Sequence, residues 1–188
     1  METFALFNDA VLLRPLAVAD AGFIHTAWQD PAIRRYNRPV PASVADAASL
    51  IERSDKAWRA FHAGKGPPGC AFAICARASG EPVGMCGVDG WSEADVAQFG
   101  YWLAAGARGR GFATHAVTLM TGWLFELGAA RVFLSIQTEN TASAAVARRA
   151  GFTHEGTLRA HGVWEGQRKD VDLFAVLPVE WEHTRPTE

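Results

Sequence analysis

Residues 107–117 read Ala107-Arg108-Gly109-Arg110-Gly111-Phe112-Ala113-Thr114-His115-Ala116-Val117. Two arginines alternate with two glycines, and apolar residues then recur at helical spacing through Ala113, Val117, Met120, Leu124 and Leu127, with Gly128 as a stop. The spacing predicts a helix over 112–127. Glycine is a poor helix former, so two of them immediately before a helix call for a reason. The first turn of a helix has unsatisfied N–H groups and the positive end of the macrodipole, and glycines leave it uncovered. Arg108 and Arg110 add charge and forked donors, so the stretch reads as a phosphate cradle, against the plainer reading of a solvated loop.

Working outward, 98–103 (QFGYWL) precedes the cradle as a strand, and 131–136 (RVFLSI) follows the helix as a buried, β-branched one. Strand, loop, helix and strand make one crossover unit. Upstream, 70–77 and 83–88 are apolar runs separated by Ser79-Gly80-Glu81-Pro82, a hairpin whose meander 98–103 completes. Before them, 11–16 reads as a first strand, 20–29 as a short helix capped by Asp20, and 43–62 as a helix with a capping box between Ser43 and Asp46. Downstream come a helix over 140–150 closed by Gly151 and strands near 152–155 and 171–176. The expected fold is α/β of the α+β mixed kind, with residues 1–188 forming a single domain.

Composition bounds the rest. A chain of 188 residues with 49% hydrophobic and 20% charged residues has a real core and no room for a large disordered region. Eighteen Lys and Arg against twenty Asp and Glu give a net charge of −2, which argues against a nucleic-acid binder. Cys70, Cys75 and Cys86 sit in apolar runs and are odd in number, as expected of reduced core thiols. The start, Met1-Glu2-Thr3, lacks the features of a signal peptide, and no run is long enough for a membrane span. A cytoplasmic protein without membrane contact is expected. The six histidines and three cysteines show no metal-ligand spacing, so no metal is expected.

A second glycine run, Gly64, Gly66 and Gly69, fits G-x-G-x-x-G by letter, but it holds two prolines and leads into a strand, so it reads as a bare loop.

Taken together, the blocks carry a resemblance. Arg108-x-x-Gly111-x-Ala113 resembles the acyl-CoA pyrophosphate loop of the GNAT N-acetyltransferases, R/Q-x-x-G-x-G/A. Phe99-Gly100-Tyr101-Trp102-Leu103 is similar to the "GYWL" strand of the RimJ/RimL-like ribosomal-protein alanine N-acetyltransferase branch. Asn140-Thr141-Ala142-Ser143, then Ala150-Gly151-Phe152 and Gly156, resembles that branch's N-x-x-S…GF…G pattern. The blocks cover 98–159 closely, while Leu13-Arg14-Pro15-Leu16 and the tail to Trp181 match more loosely.

The resemblance implies a GNAT-like acyl-CoA N-acyltransferase fold, with a mostly antiparallel central sheet, splayed strands and flanking helices. It implies acetyl-CoA as co-substrate, lying in a gap between the strands at 98–103 and 131–136. Tyr101, Trp102 and Leu103 would line the pantetheine, with Trp102 and Leu103 offering backbone groups. Arg108, Gly109, Arg110, Gly111, Phe112 and Ala113 would hold the pyrophosphate, and Asn140 would touch the cofactor. The implied activity is acetyl transfer to a primary amine, either a protein N-terminal α-amine or a small-molecule amine. Dimerisation is common among relatives, so a homodimer fits.

Such a reaction needs a neutral amine, a stabilised oxyanion and a proton for the thiolate. Where many relatives place a Glu, two residues before the "GYWL" glycine, this chain has Gln98, which cannot take a proton. Glu93, Asp95 and Asp89 on the preceding segment are candidate bases, and His161 is a candidate base or substrate contact. His115, where relatives often carry another Glu, reads as a polar helix residue. Where many family members carry a thiolate-protonating Tyr there is Ala147, so Ser143 is the candidate donor, with Asn140 beside it as a helix cap. The losses at Gln98 and Ala147 keep a rival open, a non-catalytic acyl-CoA-binding or sensing domain; a nucleotide-binding module using the same glycine loop is a third reading. The acceptor pocket is expected between about 25–62 and the loop 159–169, walled by Trp28, Tyr36, Trp58 and Trp164.

Overall fold

A computed structural model describes residues 4–37 and 40–184. The first three residues, read above for a signal segment, lie outside the described ones. The strands are β1 (Leu6–Phe7), β2 (Val11–Pro15), β3 (Ala71–Ala76), β4 (Pro82–Trp91), β5 (Val96–Leu103), β6 (Arg131–Gln137), β7 (Thr153–Trp164) and β8 (Gln167–Val176). The helices are α1 (Ala21–Ala27), α2 (Pro31–Arg34), α3 (Val44–His62), α4 (Phe112–Glu126), α5 (Thr141–Arg149) and α6 (Pro178–Thr184).

All eight strands form one sheet in the order β1-β2-β3-β4-β5-β6-β8-β7, antiparallel except where α4 crosses from β5 to the parallel β6. Side chains alternate across the strands, so each face has its own core. Cys86, Phe99 and Leu103 point to the face covered by α4 and α5, together with Phe72, Met120 and Phe174. Met85 and Trp102 point to the opposite face, where Ile24, Trp28, Ile33 and Ile51 of the α1–α3 region meet them. Each fully buried large side chain contributes about 1.5–3 kcal/mol. The three cysteines are free and buried, and desolvation pushes the Cys70 thiol up to about 12.

Two expectations about caps are corrected. Asp20 makes no side-chain cap on α1. Its carboxylate instead accepts two hydrogen bonds from the Arg14 guanidinium, at 2.7 and 2.8 Å, and one from the Ala17 amide at 2.8 Å. Burial opposes its charge, but these donors prevail and hold the carboxyl below its ordinary value. Ser43 does cap α3, accepting from the Asp46 amide, yet the Asp46 carboxylate accepts a hydrogen bond from the Ser43 hydroxyl rather than from the Ser43 backbone.

The larger departure is at 159–169, expected as a loop. β7 and β8 run through it as a long hairpin that turns at Glu165 and Gly166, with an irregular register between Leu158 and Gly162. β1, α2 and α6 were not anticipated.

Candidate active site

β5 and β6 pair only at their beginnings, through Val96 with Arg131, Ala97 with Val132 and Gln98 with Phe133. Beyond that point β5 stays with β4 and β6 stays with β8, so a wedge opens between them. The Ala104 amide donates to the Val83 carbonyl at 2.9 Å. Antiparallel alternation then commits the backbone groups of Trp102 and Gly100 to β4 and turns those of Tyr101 and Leu103 into the wedge. Trp102 borders the cavity on the cofactor side, but its backbone faces β4 and is not free for the pantetheine, and its indole packs against Phe23 and Trp28, at 5.9 and 6.1 Å between ring centroids.

At the wide end of the wedge stands the first turn of α4. Gly109 and Gly111 have φ of 73° and 82°, in the left-handed region that glycine enters without strain. Gly111 is the N-cap and brings no side-chain acceptor, so the first amides of α4 remain uncapped. Arg108 leans away from this end: its Nη2 pairs with Asp30 at 2.6 Å, and its Nε donates to the Leu103 carbonyl at 3.2 Å. The Ala32 amide and Arg108 together hold the Asp30 carboxyl below its usual range. The Arg110 guanidinium lies 4.7 Å above the Phe112 ring. A cavity of about 510 Å³ runs from this turn along Leu103 to Ala113 and Ser143. Arg149, in the last turn of α5, also lines it, and nothing in the sequence sets it apart from any basic residue near a helix C-terminus.

The apex of the wedge joins two segments 42 residues apart. Asn140 caps α5 by accepting the Ser143 amide at 3.1 Å, and this holds Ser143 in the first turn. There the Ser143 hydroxyl meets the Tyr101 hydroxyl at 2.7 Å. Burial pushes the Tyr101 phenol up to about 12, although the bond to Ser143 works against the shift. The phenol is thus a proton-bearing group at neutral pH. Ala147 is fully buried in the core.

A chamber of about 140 Å³ passes through the sheet at this apex, with Tyr101, Asn140 and Ser143 at one end and Asp89, Gln98 and Trp164 at the other. On that second face it meets a cavity of about 710 Å³, bordered by Trp28, Tyr36, Arg53, Asp89, His161 and Trp164. Trp58, also expected here, instead packs with Phe4, Phe72 and Trp123. The Trp164 indole covers Gly162 so closely that a Cβ there would fall 1.6 Å from its ring. Glu139 ties this side together by pairing with Arg35 after α2 and with Lys169 on β8, at 2.8 Å for the lysine.

The sequence-predicted residues therefore separate. Asn140 and Ser143 meet at the apex, while His161 lines the larger cavity outside the chamber. Of the three candidate acids, Asp95 sits in the turn after β4 and accepts from the Trp91 indole at 3.1 Å, with Glu93 beside it in a separate cavity. Only Asp89 reaches the chamber. Asp89 is exposed to water through the large cavity, and the protein walls crowded around its carboxyl push it up to about 6. Among the described residues no cluster of His, Cys, Asp and Glu is placed to hold a metal, and no helix is long and apolar enough to cross a membrane.

A sheet split at one parallel pair, an uncapped helix end on the wide side and a hydroxyl pair at the apex define an acyl-CoA-dependent transferase. Comparison with known proteins agrees: residues 10–153 match the acetyltransferase (GNAT) domain, and the chain belongs to that family. It is 28% identical to the uncharacterized N-acetyltransferase p20 of Bacillus licheniformis, over 96% of this chain and 99% of that protein. A GCN5-related N-acetyltransferase from Brucella melitensis superposes with a TM-score of 0.77 at 25% identity, covering 97% of this chain and 82% of that one. The ribosomal-protein acetyltransferase RimL in complex with coenzyme A gives 0.77 at 19% identity, over 93% and 98% of the two chains. The protein is a CoA-dependent N-acetyltransferase, transferring an acetyl group from acetyl-CoA to an amine.

Proposed function

We propose that the chain works in the cytoplasm as one domain on a RimJ/RimL-like plan, acetylating a primary α-amine that enters from the face opposite to the cofactor. The observation that carries the reading is the wedge, because the cavity at the uncapped end of α4 adjoins the chamber at Tyr101 and Ser143, and that chamber adjoins a further cavity on the opposite face. Acetyl-CoA lies along the wedge, with its pantetheine against the backbone groups of Tyr101 and Leu103. Its pyrophosphate rests on the amides of Gly109, Arg110, Gly111, Phe112 and Ala113, where the helix end favours an anion. Arg110 and Arg149 add charge, while Arg108 braces the loop through Asp30. Trp102 forms the wall behind the thioester.

Ser143 donates a hydrogen bond to the departing sulfur and is resupplied by Tyr101, which takes the place of the family's tyrosine at Ala147. Asn140 holds Ser143 in position. His161 and Trp164 contact the acceptor. An α-amine has a pKa near 7.7–8.0 against about 10.4 for a lysine side chain, so it demands less of any base at neutral pH. The test is a panel of amines and N-terminal peptides with acetyl-CoA, scored by free thiol and by product mass. Stoichiometric CoA release with an α-amine is expected. Release with lysine side chains only would refute the α-amine assignment.

A further inference from the structure

The register of β4 against β5 places Gly87 opposite Gly100 and Val88 opposite Phe99, and then skips to Gly90 opposite Gln98. Asp89 is the extra residue of a β-bulge. Bulges re-aim a side chain, and this one lays the Asp89 carboxylate over Gly100 so closely that a Cβ on Gly100 would sit 2.8 Å from Oδ2. Because Gly100 has no side chain, the carboxylate reaches the chamber that ends at Tyr101 and Ser143. Among the described residues it is the only carboxylate lining that chamber, and it has no hydrogen bond or ion pair there.

We infer that Asp89 is the catalytic base, taking the ammonium proton of the acceptor as the amine enters the chamber from the large cavity. The inference rests on the acetyl-transfer reading of this site. The proton balance closes within the chamber. Asp89 accepts one proton from R–NH3+, and the neutral nitrogen bonds to the acetyl carbon as the carbon–sulfur bond breaks. The Ser143–Tyr101 pair protonates the sulfur and regains its proton from the newly acylated nitrogen. Asp89 then returns its own proton to water through the cavity. Gln98, one pleat away, cannot take a proton but can hold the amine as an acceptor through its carbonyl. The titratable and charged groups facing Asp89 across the two cavities are Arg53 on α3, Cys70 before β3, His161 on β7, Tyr36 after α2 and Tyr101 on β5. A carboxyl raised to about 6 is a stronger base than an ordinary Asp while still ionised at neutral pH.

The test compares wild type with Asp89→Asn and Asp89→Glu, using an α-amine that the wild type acetylates. In wild type, kcat/KM falls on the acid side with an apparent pKa near 6. Asp89→Asn loses that limb and about 100-fold in kcat at pH 7, while its acetyl-CoA affinity by calorimetry is unchanged; Asp89→Glu recovers part of the rate. With 2,2,2-trifluoroethylamine, already neutral at the assay pH, the Asp89→Asn defect shrinks to within roughly threefold, which a merely structural loss would not do. An Asp89→Asn enzyme that keeps both the rate and the acid limb overturns the assignment of Asp89 and leaves acetyl transfer standing. A wild type that acetylates no amine overturns both.

Discussion

The two faces of the sheet solve different problems and were written in the sequence in different ways. The cofactor face is local: the loop at 108–113, the start of α4 and the cap of α5 are short, contiguous pieces whose chemistry can be read from neighbouring letters. The acceptor face is assembled from the segments following α1 and α2, from α3, a bulge in β4 and the far half of the β7–β8 hairpin, none of which declares its role alone. A cofactor common to many enzymes is held by backbone and helix ends, while the acceptor is met by side chains gathered across the chain. If that division is right, substitutions on the two faces will separate in what they damage.

The largest effect is expected at Gly111. Gly111→Asp puts a carboxylate at the uncapped helix end and a side chain at φ 82°, and should weaken CoA binding by roughly a thousandfold, about 4 kcal/mol. Calorimetry reads this directly, and acceptor-side mutants measured alongside should bind CoA normally.

The scaffold of the acceptor face comes next. Asp20 is 4% exposed, so Asp20→Asn leaves Arg14 without its counter-ion and should cost about 3 kcal/mol in urea unfolding at pH 7. The pH signs of the two carboxylates on this face are opposite. The folded-state pKa of Asp20 is depressed, so its contribution is present above the ordinary value of 3.8 and is lost as pH falls below it. The folded-state pKa of Asp89 is raised, so stability declines as pH climbs from about 4 to about 6. Asp89→Asn should accordingly raise Tm at pH 8 and leave it nearly unchanged at pH 4, and an unchanged Tm at pH 8 would contradict the desolvation of this group.

Smaller effects sharpen the apex and the rim. Ser143→Ala and Tyr101→Phe should each lower kcat by about 10- to 100-fold with little change in KM for acetyl-CoA, and the double variant should lose little more than either single one, since the two hydroxyls act as a unit. Full additivity would mean that they work separately. Trp164→Ala, at the rim, should raise the acceptor KM by about fivefold while leaving the KM for acetyl-CoA alone.

The same contrast explains what was legible. The crossover β5-α4-β6 and the meander before it follow from strong periodicity and glycine punctuation, and their boundaries hold to within a few residues. β7 was cut short because Arg159 to Trp164 is largely exposed on both faces, so no alternation betrays the strand, and its ladder with β8 is interrupted after Leu158 and resumes at Gly162. β1 and α2 span two and four residues, too few to carry a period. Asp20 looked like a cap because Asp favours that position, but tertiary pairing with Arg14 outweighed the local preference. Asn140 and Ser143 were readable as a capped helix start, yet the partnership of Ser143 with Tyr101 spans 42 residues. Asp89 stood among three acidic candidates of equal standing, and only the bulge separates it from Glu93 and Asp95.

The most direct test is a crystal structure with CoA bound. The pyrophosphate oxygens should lie at about 2.9 Å from amides within 109–113, with the sulfur at the Tyr101–Ser143 end of the chamber and the cavity around Asp89 open on the other face. A CoA whose pyrophosphate lies away from α4, or whose pantetheine fills the cavity beside Asp89 and Arg53, would contradict the division between the two faces.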